Sequence, residues 1–139
     1  MSFRFSALVC PLALAFPLAC LAQEGSTQPA QNAAQAWLAL TDSGQYAPSW
    51  DNAAEFFKAS VTKATWLNAM TSARSPLGAL KSRKLKSATF TRSLPGAPAG
   101  EYVVIQFDTQ FQNKSTAIET ITPMHEKDGS WKVSGYFIK

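Results

Sequence analysis

Glu101-Tyr102-Val103-Val104-Ile105-Gln106-Phe107-Asp108-Thr109-Gln110-Phe111-Gln112 alternates apolar and polar residues, and Asn113-Lys114 follows it directly. A period of two over that length predicts a strand with one buried face, and Asn-Lys supplies a turn. Pro95-Gly96-Ala97-Pro98-Ala99-Gly100 precedes the stretch, and Asp128-Gly129 marks a further turn downstream. These breaks divide the C-terminal half into runs rich in Val, Ile, Thr and aromatic residues. We read four strands at 83–94, 101–112, 115–126 and 131–138, forming an antiparallel meander.

Alternation also assigns faces. Val103, Ile105, Phe107, Thr109 and Phe111 share one side of the second strand, and Trp131, Val133, Gly135 and Phe137 one side of the fourth. With two-residue turns at Asn113-Lys114 and Asp128-Gly129, counting outward puts Ile118, Thr120, Thr122 and Met124 on the same inner side. Ala88 and Phe90 join them from the first strand, leaving Leu85, Ser87, Thr89 and Thr91 outward. The outer face of the other strands then carries Tyr102, Val104, Gln106, Asp108, Gln110, Glu119, Ile121, His125, Lys132, Ser134, Tyr136 and Ile138.

Upstream the period changes. Ala33, Ala36, Trp37 and Leu40 recur at helical spacing before Gly44; Trp50, Ala53, Ala54, Phe57 and Val61 repeat the pattern after Pro48. Thr62 can cap a third segment whose Trp66, Ala69, Met70 and Ala73 share a face, ended by Ser75-Pro76. The expected fold is α+β, with three N-terminal helices packed on a curved four-stranded antiparallel sheet.

The first residues read as an export signal. Arg4 precedes an apolar run over 7–16, and Cys20-Leu21-Ala22 offers small residues for a peptidase, so cleavage is expected between Ala22 and Gln23. Ten apolar residues are too few to span a bilayer, which takes about twenty. The expected product is periplasmic or secreted and not transmembrane; the alternative is a lipid anchor on Cys20, against which Pro17 stands in the lipobox position. Residues 23–31, rich in Gln, Ser, Thr, Pro and Gly, read as a flexible leader, and 32–139 as one domain. Cys10 and Cys20 both lie in the signal, so the processed chain has no thiol for a disulfide, a Cys–metal site or a nucleophile. It also loses Arg4, leaving twelve basic against nine acidic side chains, a mild excess that speaks for solubility more than for any partner.

Few residues invite chemistry. His125 is the only histidine, which excludes a multi-histidine metal site, and nothing in the pattern calls for a cofactor. Lys81, Arg83, Lys84 and Lys86 form one basic cluster, read as protection of a sheet edge and not as a nucleic-acid site. Trp37, Trp50, Trp66 and Trp131 fall on core stripes, so packing is the first reading for each. Asp108 and Glu119 project outward and read first as part of an ordinary solvated sheet face with Lys132 nearby, a carboxylate pair being the alternative, and Asp42, Asp51 and Glu55 place acids on the helices.

Several stretches are similar to a known family. Trp37-Leu38-Ala39-Leu40, Tyr46-Ala47-Pro48-Ser49-Trp50-Asp51, Pro76-Leu77-Gly78, Pro95 through Phe107, and Glu119-Thr120 with Trp131 through Tyr136 resemble a bacterial family of short exported proteins, the domain of unknown function numbered 4019. Helices followed by a curled sheet also resemble the cystatin-like roll of nuclear transport factor 2-like and SnoaL-like proteins. The resemblance implies that roll and a place outside the cytoplasm, and carries no activity with it. The expected function is a non-catalytic module that binds a small molecule or an envelope protein, through the cone between helices and sheet or through the outer sheet face. Tyr102, Gln106, Asp108, Glu119, Lys132 and Tyr136 are its candidate contacts. That face is more apolar than solvation requires, so a homodimer anchored by Tyr102 and Tyr136 and oriented by Glu119 is the second expectation for it. The competing function is a SnoaL-like isomerase or hydrolase using a helix-borne acid, which would need a titratable group exposed to a pocket.

Overall fold

The computed structural model describes residues 21–139, with side chains from 27 onward. The assignments on Arg4, the apolar run, Cys10 and Cys20 lie outside the described residues. Four α-helices, α1 (Leu21–Asp42), α2 (Tyr46–Asp51), α3 (Glu55–Ser60) and α4 (Lys63–Arg74), lead through a 3-10 turn at Ser75–Leu77 into the sheet. The sheet holds β1 (Leu80–Thr91), β2 (Tyr102–Phe111), β3 (Lys114–His125) and β4 (Trp131–Ile138), antiparallel and in sequence order. The α+β class and the meander agree with the sequence reading.

Helix α1 begins earlier than its composition suggests. Residues 23–31, expected as a leader, lie within it, and Thr27 and Ala30 are buried. Ala30, Ala34, Trp37, Leu38 and Thr41 form its buried stripe, so the small residues of the expected leader continue a packing face already present downstream. The expected second helix is two, because Asn52 and Ala53 break it before Ala54 donates its backbone N–H to Val133 O at 2.8 Å. Helix α4 starts where expected: Thr62 Oγ1 accepts from the Thr65 N–H at 3.2 Å.

One sheet face and the helices enclose the core, which includes Leu38, Trp66, Met70, Val103, Ile105, Phe107, Ile121 and Val133. Strand β2 faces inward as its alternation predicts, but β3 is reversed. The turn after β2 is Gln112-Asn113, with Phe111 opposite Lys114, one residue earlier than expected. That turn alone would set Thr109 opposite Thr116, but a one-residue register shift between Phe111 and Thr109 pairs Thr109 with Ala117, Phe107 with Glu119 and Ile105 with Ile121. Directly opposed residues share a face, so Ala117, Glu119 and Ile121 point inward and Ile118, Thr120 and Thr122 outward. The hairpin tip docks on the 3-10 turn: Gln112 N–H donates to Ala79 O and Asn113 N–H to Leu77 O, both at 2.8 Å. Gly78 allows that approach. Its φ is +73°, and a Cβ there would meet the Gln112 Cβ at 3.0 Å.

Strand β4 is reversed in its second half. Thr122 pairs with Gly135 but Pro123 with Val133, leaving Ser134 as the extra residue of a bulge. Pro123, with no N–H for a ladder bond, is tolerated at that irregularity, and the Ser134 hydroxyl donates to Thr122 O at 2.8 Å. Beyond the bulge Tyr136 lies opposite Ile121 and turns inward, while Phe137 is 52% exposed. Tyr136 and Ile121 were expected outside and Phe137 inside.

Candidate functional site

Two features distinguish the helix–sheet layer. The first is a buried polar cluster drawn from α1, α4 and all four strands. Glu119 is fully buried, and Arg83 Nε donates to its Oε1 at 2.7 Å and Arg83 Nη2 to its Oε2 at 3.1 Å. The Thr109 hydroxyl donates to Oε1 at 2.6 Å, and the Tyr136 phenol donates to Oε2. Arg83 also reaches Asp42 at the end of α1, with Nη1 2.7 Å from Oδ2 and Nη2 2.9 Å from Oδ1. Asp42 accepts again from Arg74 Nη2 at 3.1 Å, and the Arg74 guanidinium lies 4.8 Å from the centre of the Phe111 ring. Two arginines thus neutralise two carboxylates.

The electrostatics follow from that arrangement. Burial alone would lower the Arg83 pKa, but the hydrogen bonds and charges of Asp42 and Glu119 outweigh it and hold Arg83 above its ordinary range. Burial, and then the charge of Glu119 and the hydrogen bond to it, push the Tyr136 phenol well up. A general base needs an oxygen within reach of a substrate. Both Glu119 oxygens are occupied by protein donors, so this cluster clamps helices to sheet and offers no acid–base site. The helix acids are engaged as well: Asp51 lies 2.7 Å from Lys63 and Glu55 2.7 Å from Lys58.

The second feature is open. A groove of about 440 Å³ runs between α1 and β4, lined by Ala33, Ala36, Trp37, Leu40, Asn52, Trp131, Lys132 and Val133. Ala33, Ala36 and Leu40 were read as the core stripe of the first helix; instead they form a second apolar stripe, facing the groove, with Ala36 exposed. Helix α1 is apolar on two sides, and only one is covered by the sheet. Two indoles wall the groove and both are held in place. Trp37 donates its N–H to Ser49 O at 2.8 Å and packs edge-on to Tyr136. Trp131 stacks on His125 with ring centres 4.9 Å apart; that imidazole lies 3.0 Å from Glu101 and 3.1 Å from Gly129 O.

The candidate contacts named from sequence do not converge. Lys132 alone among them lines the groove. Glu119 and Tyr136 meet in the interior cluster and not on the outer face. Tyr102 is buried, its phenol donating to Pro98 O at 2.6 Å, and burial raises its pKa. Neither proposed dimer anchor is open on the outer face: Tyr136 is turned inward, and Tyr102 keeps its outer side of β2 but is covered by the loop carrying Pro98 and Gly100. Gln106 is half-buried, and Asp108 is exposed beside Lys86 at 3.8 Å. Asp108 lines a polar hollow of about 320 Å³ with Ser82, Lys84 and Gln110. The sequence reading missed the groove because Ala33 and Ala36 fit a helix stripe whether a sheet or solvent lies against them. The inward Glu119 carried a legible signal: an acid between Ala117 and Ile121, in a strand with an Arg available two strands away.

Among the described residues no group of three or more His, Cys, Asp or Glu is placed to hold a metal ion, and no helix is long and apolar enough to cross a membrane. No curated protein and no solved structure matches the chain. The model of one family, described as "Protein of unknown function (DUF4019)", matches residues 33–136, which span every element from α1 through most of β4. The chain belongs to that family.

Proposed function

We propose that the protein is an exported, non-catalytic module that binds a small molecule in the groove between α1 and β4, on a sheet-and-helix roll of the cystatin-like and nuclear transport factor 2-like kind. The observation that carries the reading is the contrast between the two features: the carboxylates of the interior cluster are consumed by arginines, Thr109 and Tyr136, whereas the groove is apolar, aromatic-walled and open. Its volume falls within the range of about 300–1,000 Å³ typical of small-molecule sites. Eight lining residues fall short of the 20–30 per side that a stable protein interface takes, roughly 800 Å² per partner. Export is supported by Arg4, the apolar run over 7–16 and Cys20-Leu21-Ala22.

Binding is tested by NMR screening of a fragment set against the purified protein. Binders should shift the Trp131 indole N–H and the methyls of Ala33, Ala36, Leu40 and Val133, and Ala36→Trp should abolish those shifts while leaving the fold intact. Binders that perturb only Asp108, Gln110 and their neighbours would move the site to the outer sheet face and refute the groove. Intact mass and cell fractionation test export: a chain starting at Gln23 in the soluble extracytoplasmic fraction supports it, and a diacylglyceryl group on Cys20 replaces it with a lipid anchor.

A further inference from the structure

We propose that two copies of the protein pair through the free edge of β4, antiparallel about a two-fold axis, joining their sheets into one. The sheet has two edges, β1 and β4, and the sequence treats them differently. Strand β1 carries exposed Lys81, Lys84 and Lys86, and its pairing with β2 is broken between Leu80 and Ser82 and between Leu85 and Ser87. Charge and irregularity are the usual protections of an edge. The second half of β4 has neither. Its first half is covered where the Ala54 N–H donates to Val133 O at 2.8 Å, and the bulge at Ser134 follows. Beyond it Gly135, Tyr136, Phe137 and Ile138 pair with β3 in unbroken order and include no charged side chain.

Backbone direction fixes the register. Lys139 donates its N–H to Ile118 O and accepts from the Ile118 N–H, both at 2.9 Å, so its polar groups point at β3. Successive residues of a strand alternate in this respect. Phe137 therefore also points its groups at β3, and Tyr136 and Ile138 point theirs away from the sheet. In the dimer Tyr136 of one copy exchanges both backbone hydrogen bonds with Ile138 of the second, and symmetry repeats the exchange with the copies reversed. The axis passes beside Phe137, which faces Phe137 of the second copy as a non-hydrogen-bonded pair. Phe137 is 52% exposed, the most exposed large apolar side chain among the described residues, and the two rings cover each other. The next pair is Lys139 with Gly135 of the second copy, where a Cβ would meet nothing within 4 Å, so the lysine stem has room. No like charges are opposed in this register, and Lys132 lies outside the paired segment.

So short a contact places the dimer at the weak end of specific association, with a Kd on the order of 100 μM. Sedimentation equilibrium at about 1 mM protein should then show mostly dimer. Phe137→Lys, which puts a charge on the edge, should be monomeric, and so should Ile138→Pro, which deletes an N–H that points away from β3. Near-UV circular dichroism verifies each fold. Oxidation of cysteine variants reads the register. Phe137→Cys should be trapped as a disulfide-linked dimer, because facing residues of a non-hydrogen-bonded pair lie within disulfide reach, whereas Gly135→Cys, which faces Lys139, should not. The wild type, with Cys10 and Cys20, gives the background. A wild type still monomeric at about 1 mM would overturn the proposal. A dimer that Phe137→Lys leaves intact, or trapping through Gly135→Cys in preference to Phe137→Cys, would overturn it equally. Should both edge variants lose their fold, the trapping of Phe137→Cys above background decides.

Discussion

Glu119 shows how much one side chain can depend on its surroundings. Removing one partner of a buried ion pair leaves the other charge uncompensated and costs about 3–5 kcal/mol. Glu119→Ala should therefore lower the unfolding free energy by about that amount, because Arg83 would keep only Asp42; urea titration of the two proteins checks it. Tyr136 gives a second test with a definite sign. Its phenol pKa is raised in the folded protein, so the native state holds that proton more tightly than the unfolded chain, whose tyrosines ionise near about 10. The associated stability is fully present below that pH and is lost as the pH rises above it. Denaturant unfolding across that range should show the wild type losing stability steeply, and Tyr136→Phe, which has no phenol to titrate there, declining less.

At the scale of the element, β3 and β4 depend on irregularities in their pairing. Moving a two-residue turn by one position shifts the register by two and keeps every face, so it is the one-residue shift between Thr109 and Phe111 that moves the β3 side chains beyond it to the opposite face. The bulge at Ser134 then lets Val133 and Tyr136 face inward together, which strict alternation forbids. Phe107 and Phe137 separate the two registers experimentally. Phe107 is buried against the core and should cost about 3–5 kcal/mol on truncation to Ala, whereas Phe137, 52% exposed, should cost within about 1 kcal/mol. Equal losses for the two variants would favour the uninterrupted alternation. Strand positions, the order of the meander and the Thr62 cap were legible because each rests on residues within a few positions. Register was not, since no residue between Phe111 and Ala117 marks the one-residue irregularity that resets the pairing.

For the molecule as a whole, one core joins the helices to the sheet, and the Asp42–Arg83–Glu119 chain ties α1, β1 and β3 together. Unfolding should therefore be a single cooperative step, with tryptophan fluorescence and far-UV circular dichroism giving coincident thermal transitions; separated transitions would mean that the helical layer melts alone. The amino-acid sequence by itself determined the α+β class, the four-stranded meander, the inward face of β2 and the absence of cysteine after residue 20, because composition, period and turn residues are local properties. Only the tertiary structure decided that Glu119 is an interior ion-pair partner, that Tyr136 turns away from the outer face while Tyr102 is covered on it by the loop carrying Pro98, and that α1 keeps an uncovered apolar stripe beside Trp131 and Lys132. Those outcomes depend on which segment comes to lie opposite which. A one-residue change in pairing reverses a face without altering any local propensity, and a helix stripe of alanines looks the same in sequence whether a sheet covers it or a groove exposes it.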